Sequence, residues 1–183
     1  MIQGRVLYLV RHGQYHSGDT GSGMLTSLGK KQAHRVADCF QGISIDSIRS
    51  STMPRAVETA DIMAKHLGVT AIHRHRLLRE VLPTTVPGMN IPLHKRVDGS
   101  RRVERIVERF FKPSRRVRHE IVVCHGNLIR ALLLCVVSGR STGWHRLMAH
   151  HGGITSFVVS PKGVLVLGFD VQEHLPLELR SNS

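Results

Sequence analysis

Short, fully apolar runs alternate along this chain with longer stretches whose apolar residues recur at helical spacing. Val6-Leu7-Tyr8-Leu9-Val10 and Ile121-Val122-Val123 are continuous and rich in branched residues, the pattern of strands buried on both faces of a parallel sheet. The pattern predicts strands over Arg5–Val10, Ser44–Arg49, Val69–His73 and Glu120–Cys124. It predicts helices over Ser27–Phe40 behind a Thr26 cap, over Pro54–Leu67 ahead of Gly68, and over Asn127–Val137. A further helix starts at Asp98-Gly99-Ser100, carries a stripe of Val103, Ile106, Val107, Phe110 and Phe111, and ends before Pro113. Ser50-Ser51-Thr52 offers caps for the helix that follows, and Ile154–Ser160 with Val164–Phe169 reads as a hairpin around Pro161-Lys162-Gly163. Two loops stand out: His16–Gly23, rich in Gly, Ser and Asp, and Pro83–Pro92, rich in Pro and Gly, read as a lid or substrate loop. Strands alternating with helices imply an α/β fold with a mainly parallel sheet. At 183 residues the chain suits one core, hence a single domain over 1–183.

Two of the predicted strands end alike. The first runs into Arg11-His12-Gly13 and the later one into Cys124-His125-Gly126. Reactive groups of open α/β sheets collect at the carboxyl ends of strands, so these two histidines are expected to meet across one site. Phosphoryl transfer requires an in-line nucleophile, cations around the equatorial oxygens and an acid for the leaving group. His12 is the candidate nucleophile, because imidazole can carry a phosphoryl group covalently. Arg11 adjoins it, and Arg55 lies in the first turn of a helix, where an anion is favoured. Glu80, after the third strand, is placed to protonate a leaving oxygen.

Charge sharpens the substrate class. Lys and Arg number 26 against 13 Asp and Glu, a formal net charge of +13. Aromatic residues make up only 4%, little material for stacking bases, so nucleic acid is disfavoured and attraction of an anionic substrate is the preferred reading over a merely solvated basic surface. The three cysteines, Cys39, Cys124 and Cys135, are expected to be free thiols. The longest purely apolar run, Ala131 to Val137, is too short to span a bilayer, and the first residues lack a leader pattern, so no membrane partner and a cytoplasmic location are expected.

The chain resembles the histidine phosphatase, or phosphoglycerate-mutase-like, superfamily over nearly its whole length. The resemblance rests on Arg11-His12-Gly13, Leu25-Thr26 with Leu28-Gly29 and Gln32-Ala33, Ser50-Ser51 through Arg55-Ala56, Glu58-Thr59-Ala60, Leu78-Arg79-Glu80 and Cys124-His125-Gly126. It implies a three-layer αβα sandwich and a phosphohistidine formed on His12. It further implies phosphate binding by Arg11, Arg55 and His125, together with Gly13 and Gly126, and proton donation by Glu80. No metal and no other cofactor is implied. Gln14-Tyr15-His16, Asp98-Gly99-Ser100-Arg101 and Asn127 with Ile129-Arg130 resemble a branch of protein phosphatases acting on phospho-Ser/Thr or phospho-His. That resemblance makes a phosphoprotein the expected partner and allows for a homo-oligomer. Gly13 departs from the serine of that branch, and His16-Ser17-Gly18 occupies the place of a phosphate-touching asparagine found in many members.

Other readings compete. A small-metabolite phosphatase or a phosphoglycerate mutase uses the same residues. Cys124 and Arg130 have the spacing of a cysteine-dependent phosphatase loop, although Ala131 replaces the usual hydroxyl residue and a buried thiol is the plainer reading. A metal centre is suggested by 13 histidines, among them His73, His75 and His150-His151, without structural-zinc spacing; most read as surface residues or as residues that support a site from behind. The Arg-rich run from His94 to His119 also allows a non-catalytic basic binding module.

Overall fold

A computed structural model describes residues 4–18, 22–83, 86 and 88–181. Parts of both expected loops, residues 19–21, 84, 85 and 87, lie outside the described residues. Six strands form one sheet: β1 (Arg5–Arg11), β2 (Ser47–Ser51), β3 (Ile72–His75), β4 (Arg118–Cys124), β5 (Ile154–Ser160) and β6 (Gly163–Val171). Their order is β3-β2-β4-β1-β5-β6. The first four are mutually parallel, and the β5–β6 hairpin adds antiparallel to β1.

Strand alternation sorts the core into two layers. Leu7, Leu9, Val122 and Phe157 face α3 (Leu93–Phe110) and α4 (Gly126–Ser138). Val10, Ile48, Ile121 and Val123 face α1 (Ser27–Asp38) and α2 (Pro54–Leu67). The result is the expected αβα sandwich.

Several predicted boundaries move for identifiable reasons. Thr26 caps α1 as expected, its hydroxyl accepting from Gly29 N–H, but the helix ends at Asp38. β2 begins at Ser47, three residues late, because Asp46 N–H donates to His119 C=O and its carboxylate accepts from His119 N–H, fixing the entry to the β2–β4 ladder. Ser50 and Ser51 then belong to β2, and α2 starts at Pro54 behind Met53 with no side-chain cap. The third strand is displaced likewise, from Val69–His73 to Ile72–His75. α3 begins at Leu93, five residues before the expected start at Asp98. Gly99 lies inside it because the helix passes so close to the preceding loop that a Cβ there would stand 2.9 Å from Leu82 O.

Candidate active site

The register of the central strands assembles the site. β1 and β4 are adjacent, with Val10 opposite Val123 and Arg11 opposite Cys124. The next residue on each, His12 and His125, therefore emerges side by side, with ring centroids 5.0 Å apart. Ser51 ends neighbouring β2, and its Oγ lies 2.8 Å from His125 Nε2. All these groups sit at carboxyl ends of parallel strands, as expected.

Hydrogen bonds set the form of each imidazole. His12 Nδ1–H donates to Gly13 C=O at 2.8 Å, which leaves a lone pair on Nε2, where Arg55 Nε–H donates at 2.8 Å. Ser51 Oγ accepts from Met53 N–H and keeps its own proton free to donate to His125 Nε2; with Ser51 as that donor, the His125 proton stands on Nδ1. That Nδ1–H is buried with no hydrogen-bond partner among the described residues, and the same is true of Arg11 Nε. Two buried donors left unpaired beside a buried nucleophile make an anion-binding arrangement.

Electrostatics agree. His12 is 2% exposed, and burial together with His125, Arg55 and Arg11 holds its pKa well below 6.5. Burial and the arginines press His125 down to about 2. Both rings are neutral near pH 7, so His12 is a competent nucleophile and His125 a neutral donor. Glu80 moves the other way: burial raises its pKa, even though its carboxylate accepts from Val81, Asn127 and Leu128 N–H groups. It thereby caps α4, whose own N-cap, His125, offers no side-chain bond.

The structure sets His12 beside His125 and Arg55, with Arg11 close enough to act on both histidines and Glu80 close enough to act on both arginines. The two glycines contribute room. Gly13 N–H is taken by Thr59 Oγ1 at 3.2 Å, and a Cβ at Gly13 would stand 2.4 Å from Gly29 O. The expectation that Gly13 binds phosphate is thus corrected, since its amide is already used. Gly126 lies against Arg11, where a Cβ would come within 3.3 Å of Nε.

Three residues at the site escaped sequence reasoning. His151, which sequence places only among histidines of the surface or behind a site, is 4% exposed and stands 5.5 Å from His12, ring to ring. Its Nε2 accepts from Arg11 Nη2 at 3.0 Å, and its Nδ1 donates to Ser181 Oγ at 3.1 Å. Ser51 was taken for a helix cap. Tyr15 packs edge-on to His12, and the Arg55 guanidinium lies 4.3 Å over its ring. The loop carrying His151 is held by Asp170, whose carboxylate takes His150 N–H and faces His150 Nδ1. Asp170 has a φ of 51° beside a register shift in the β5–β6 ladder, and that signal is absent from the sequence.

The rival chemistries fare poorly. The Cys124 thiol is fully buried and burial pushes its pKa upward, so no thiolate forms near neutrality. The amides after it already serve Glu80, and Arg130 turns to Leu147 C=O and the face of Trp144. Nε2 of His12, His125 and His151 lies within hydrogen-bond distance of Arg55, Ser51 and Arg11 respectively. Among the described residues no group of three or more His, Cys, Asp or Glu is placed to hold an ion.

A buried histidine flanked by two arginines and a second histidine at the carboxyl ends of a doubly covered sheet defines a phosphatase-type site. Residues 7–98 match the Histidine phosphatase superfamily (branch 1), and the chain belongs to that family. The mouse mitochondrial serine/threonine-protein phosphatase PGAM5 is 33% identical over 178 residues, 89% of this chain and 61% of that protein. Its counterpart from Drosophila melanogaster is 31% identical over 197 residues, covering 97% of this chain and 67% of that protein. A Plasmodium falciparum phosphoglycerate mutase structure superposes with a TM-score of 0.66 at 27% identity, covering 96% of each chain. The chain spans about three fifths of the length of the mouse relative. Both PGAM5 relatives are named mitochondrial proteins, which overturns the cytoplasmic expectation.

Proposed function

We propose that residues 1–183 act as one phosphatase domain that hydrolyses phosphomonoesters on proteins through a phosphohistidine at His12. The single observation that carries this reading is the state of His12: buried, neutral, protonated on Nδ1 by its bond to Gly13 C=O, with its Nε2 lone pair facing Arg55 and within the field of Arg11. Nε2 attacks phosphorus as the P–O bond to the leaving group breaks. For this Arg55 turns from the Nε2 lone pair onto a phosphoryl oxygen, where Arg11 Nε–H and His125 Nδ1–H also donate. Glu80, whose pKa burial raises, serves as the acid: from its protonated form it gives the proton to the departing oxygen. A water then attacks phosphorus and loses its proton to Glu80. The N–P bond breaks, its electron pair returns to His12 Nε2, and phosphate leaves. Phosphoprotein substrates are inferred from the PGAM5 relatives, and so is a mitochondrial setting.

The test is a turnover panel of phosphoserine and phosphothreonine peptides, phosphohistidine protein, sugar phosphates and phosphoglycerates, run on the native protein and on Glu80→Gln. Protein-derived substrates should dominate. Glu80→Gln should lose roughly 10²–10⁴-fold on phosphoserine and far less on aryl phosphates, whose leaving groups hardly need a proton. Equal losses on both would remove Glu80 as the acid.

A further inference from the structure

Beside the phosphate cage lies an open cleft of about 480 Å³, lined by Glu80, Met53, Asp98 and three arginines, Arg76, Arg79 and Arg102. Arg102 reaches across it from α3 and donates through Nη2 to Glu80 C=O. Its Nε is buried without a partner among the described residues. Arg76 and Arg79 are exposed, and none of the three takes part in an ion pair among the described residues. Three guanidiniums thus face one carboxylate, Asp98, apart from Glu80 itself. The fields of Arg102 and Arg79 extend to His125, so the cleft and the phosphate cage share one electrostatic environment.

The scissile phosphate has its own ligands in Arg11, Arg55 and His125. The cleft arginines are therefore surplus to the transferring group. Guanidinium recognises carboxylate and phosphate through paired N–H donors, and a partly enclosed cationic wall strengthens that pairing relative to open surface. We propose that this cleft binds an acidic side chain flanking the phosphorylated residue, so that the protein selects phosphopeptides with acidic neighbours. The inference rests on the phosphoprotein reading and deepens it. An acidic neighbour held by Arg76 and Arg79 would lie in the cleft that Glu80 also lines, which ties substrate choice to the position of the acid.

The decisive measurement reads binding without turnover. Two phosphoserine peptides, identical except for glutamates or glutamines flanking the phosphoserine, are titrated against His12→Ala. The acidic peptide should bind about tenfold more tightly, with a gap that narrows as salt rises. Adding Arg76→Gln and Arg79→Gln should shrink the gap to about twofold or less. Equal affinities in the first titration overturn the proposal, and so does a gap that survives the two arginine substitutions. If 3-phosphoglycerate binding depends on Arg76 and Arg79 while the peptides do not discriminate, the cleft serves a metabolite and the peptide assignment falls. Phosphonate peptides repeat the comparison on the native protein should His12→Ala fail to fold. Native protein that turns over no phosphomonoester would refute the phosphatase reading, whereas the binding ratio would still stand or fall by itself.

Discussion

Three imidazoles kept neutral by burial are the costliest residues in this molecule. His12, His125 and His151 all have folded pKa values below 6.5, His125 near 2 and His151 near 3. Below pH 6.5 the unfolded chain takes up protons that the folded chain refuses, so stability falls as pH falls. Each histidine contributes a loss of about 1.4 kcal/mol per pH unit in that window. Glu80 opposes this, because its raised pKa lets the folded state hold a proton above 4.5, whereas His75 and His174, also held below 6.5, add to the loss. The melting temperature should therefore drop markedly between about pH 7 and about pH 5, and His151→Asn should flatten the slope. A level profile would show that these histidines are not buried neutral. Arg11-His12-Gly13 and Cys124-His125-Gly126 were readable because each motif is local and ends an apolar run. His151 was not, because its place depends on how the β5–β6 hairpin adds to β1 and on the φ of 51° at Asp170.

Among the elements, β4 is central both in order and in charge. Glu120 is completely buried and meets Arg49 at 2.7 Å, Arg5 at 3.4 Å and Arg118 at 3.6 Å. Arg5 also donates to Phe110 C=O, so this cluster fastens β1, β2 and β4 to the end of α3. Glu120→Ala should destabilise the fold by about 3–5 kcal/mol, measured by denaturant unfolding, because it leaves several guanidiniums facing one another without a carboxylate. A loss under about 1 kcal/mol would mean that water already neutralises the cluster. Among the described residues, sequence pattern located the six strands and four α-helices but missed the short 3-10 turns at Arg76–Leu78, Trp144–Arg146 and Leu177–Leu179, and it misplaced starts where a contact from elsewhere overrode the local signal. Asp98-Gly99-Ser100 looks like a helix start because those residue types cap helices. In the structure Gly99 serves the approach to Leu82, and Ser100 Oγ donates to Pro83 C=O. The β2 start was lost for the same reason, since Asp46 answers to His119.

For the whole molecule, the +13 charge is expected to steer anionic substrates toward the protein. Contacts inside the closed cage are little affected by salt, whereas attraction across solvent is screened over ~10 Å at 0.1 M salt. Raising salt should therefore lower kcat/KM on an acidic phosphopeptide while kcat holds nearly constant. Equal changes in both would place the salt effect on the chemical step and dismiss steering.

The central claim is that His12 Nε2 carries the phosphoryl group, and trapping the intermediate tests it most directly. Native protein mixed with a ³²P-labelled phosphopeptide and quenched in base during turnover should yield a phosphoprotein. The label should be stable to base, labile to acid, map to His12 and vanish in His12→Ala. Label that resists acid and maps to Cys124, or turnover undiminished in His12→Ala, would contradict the account.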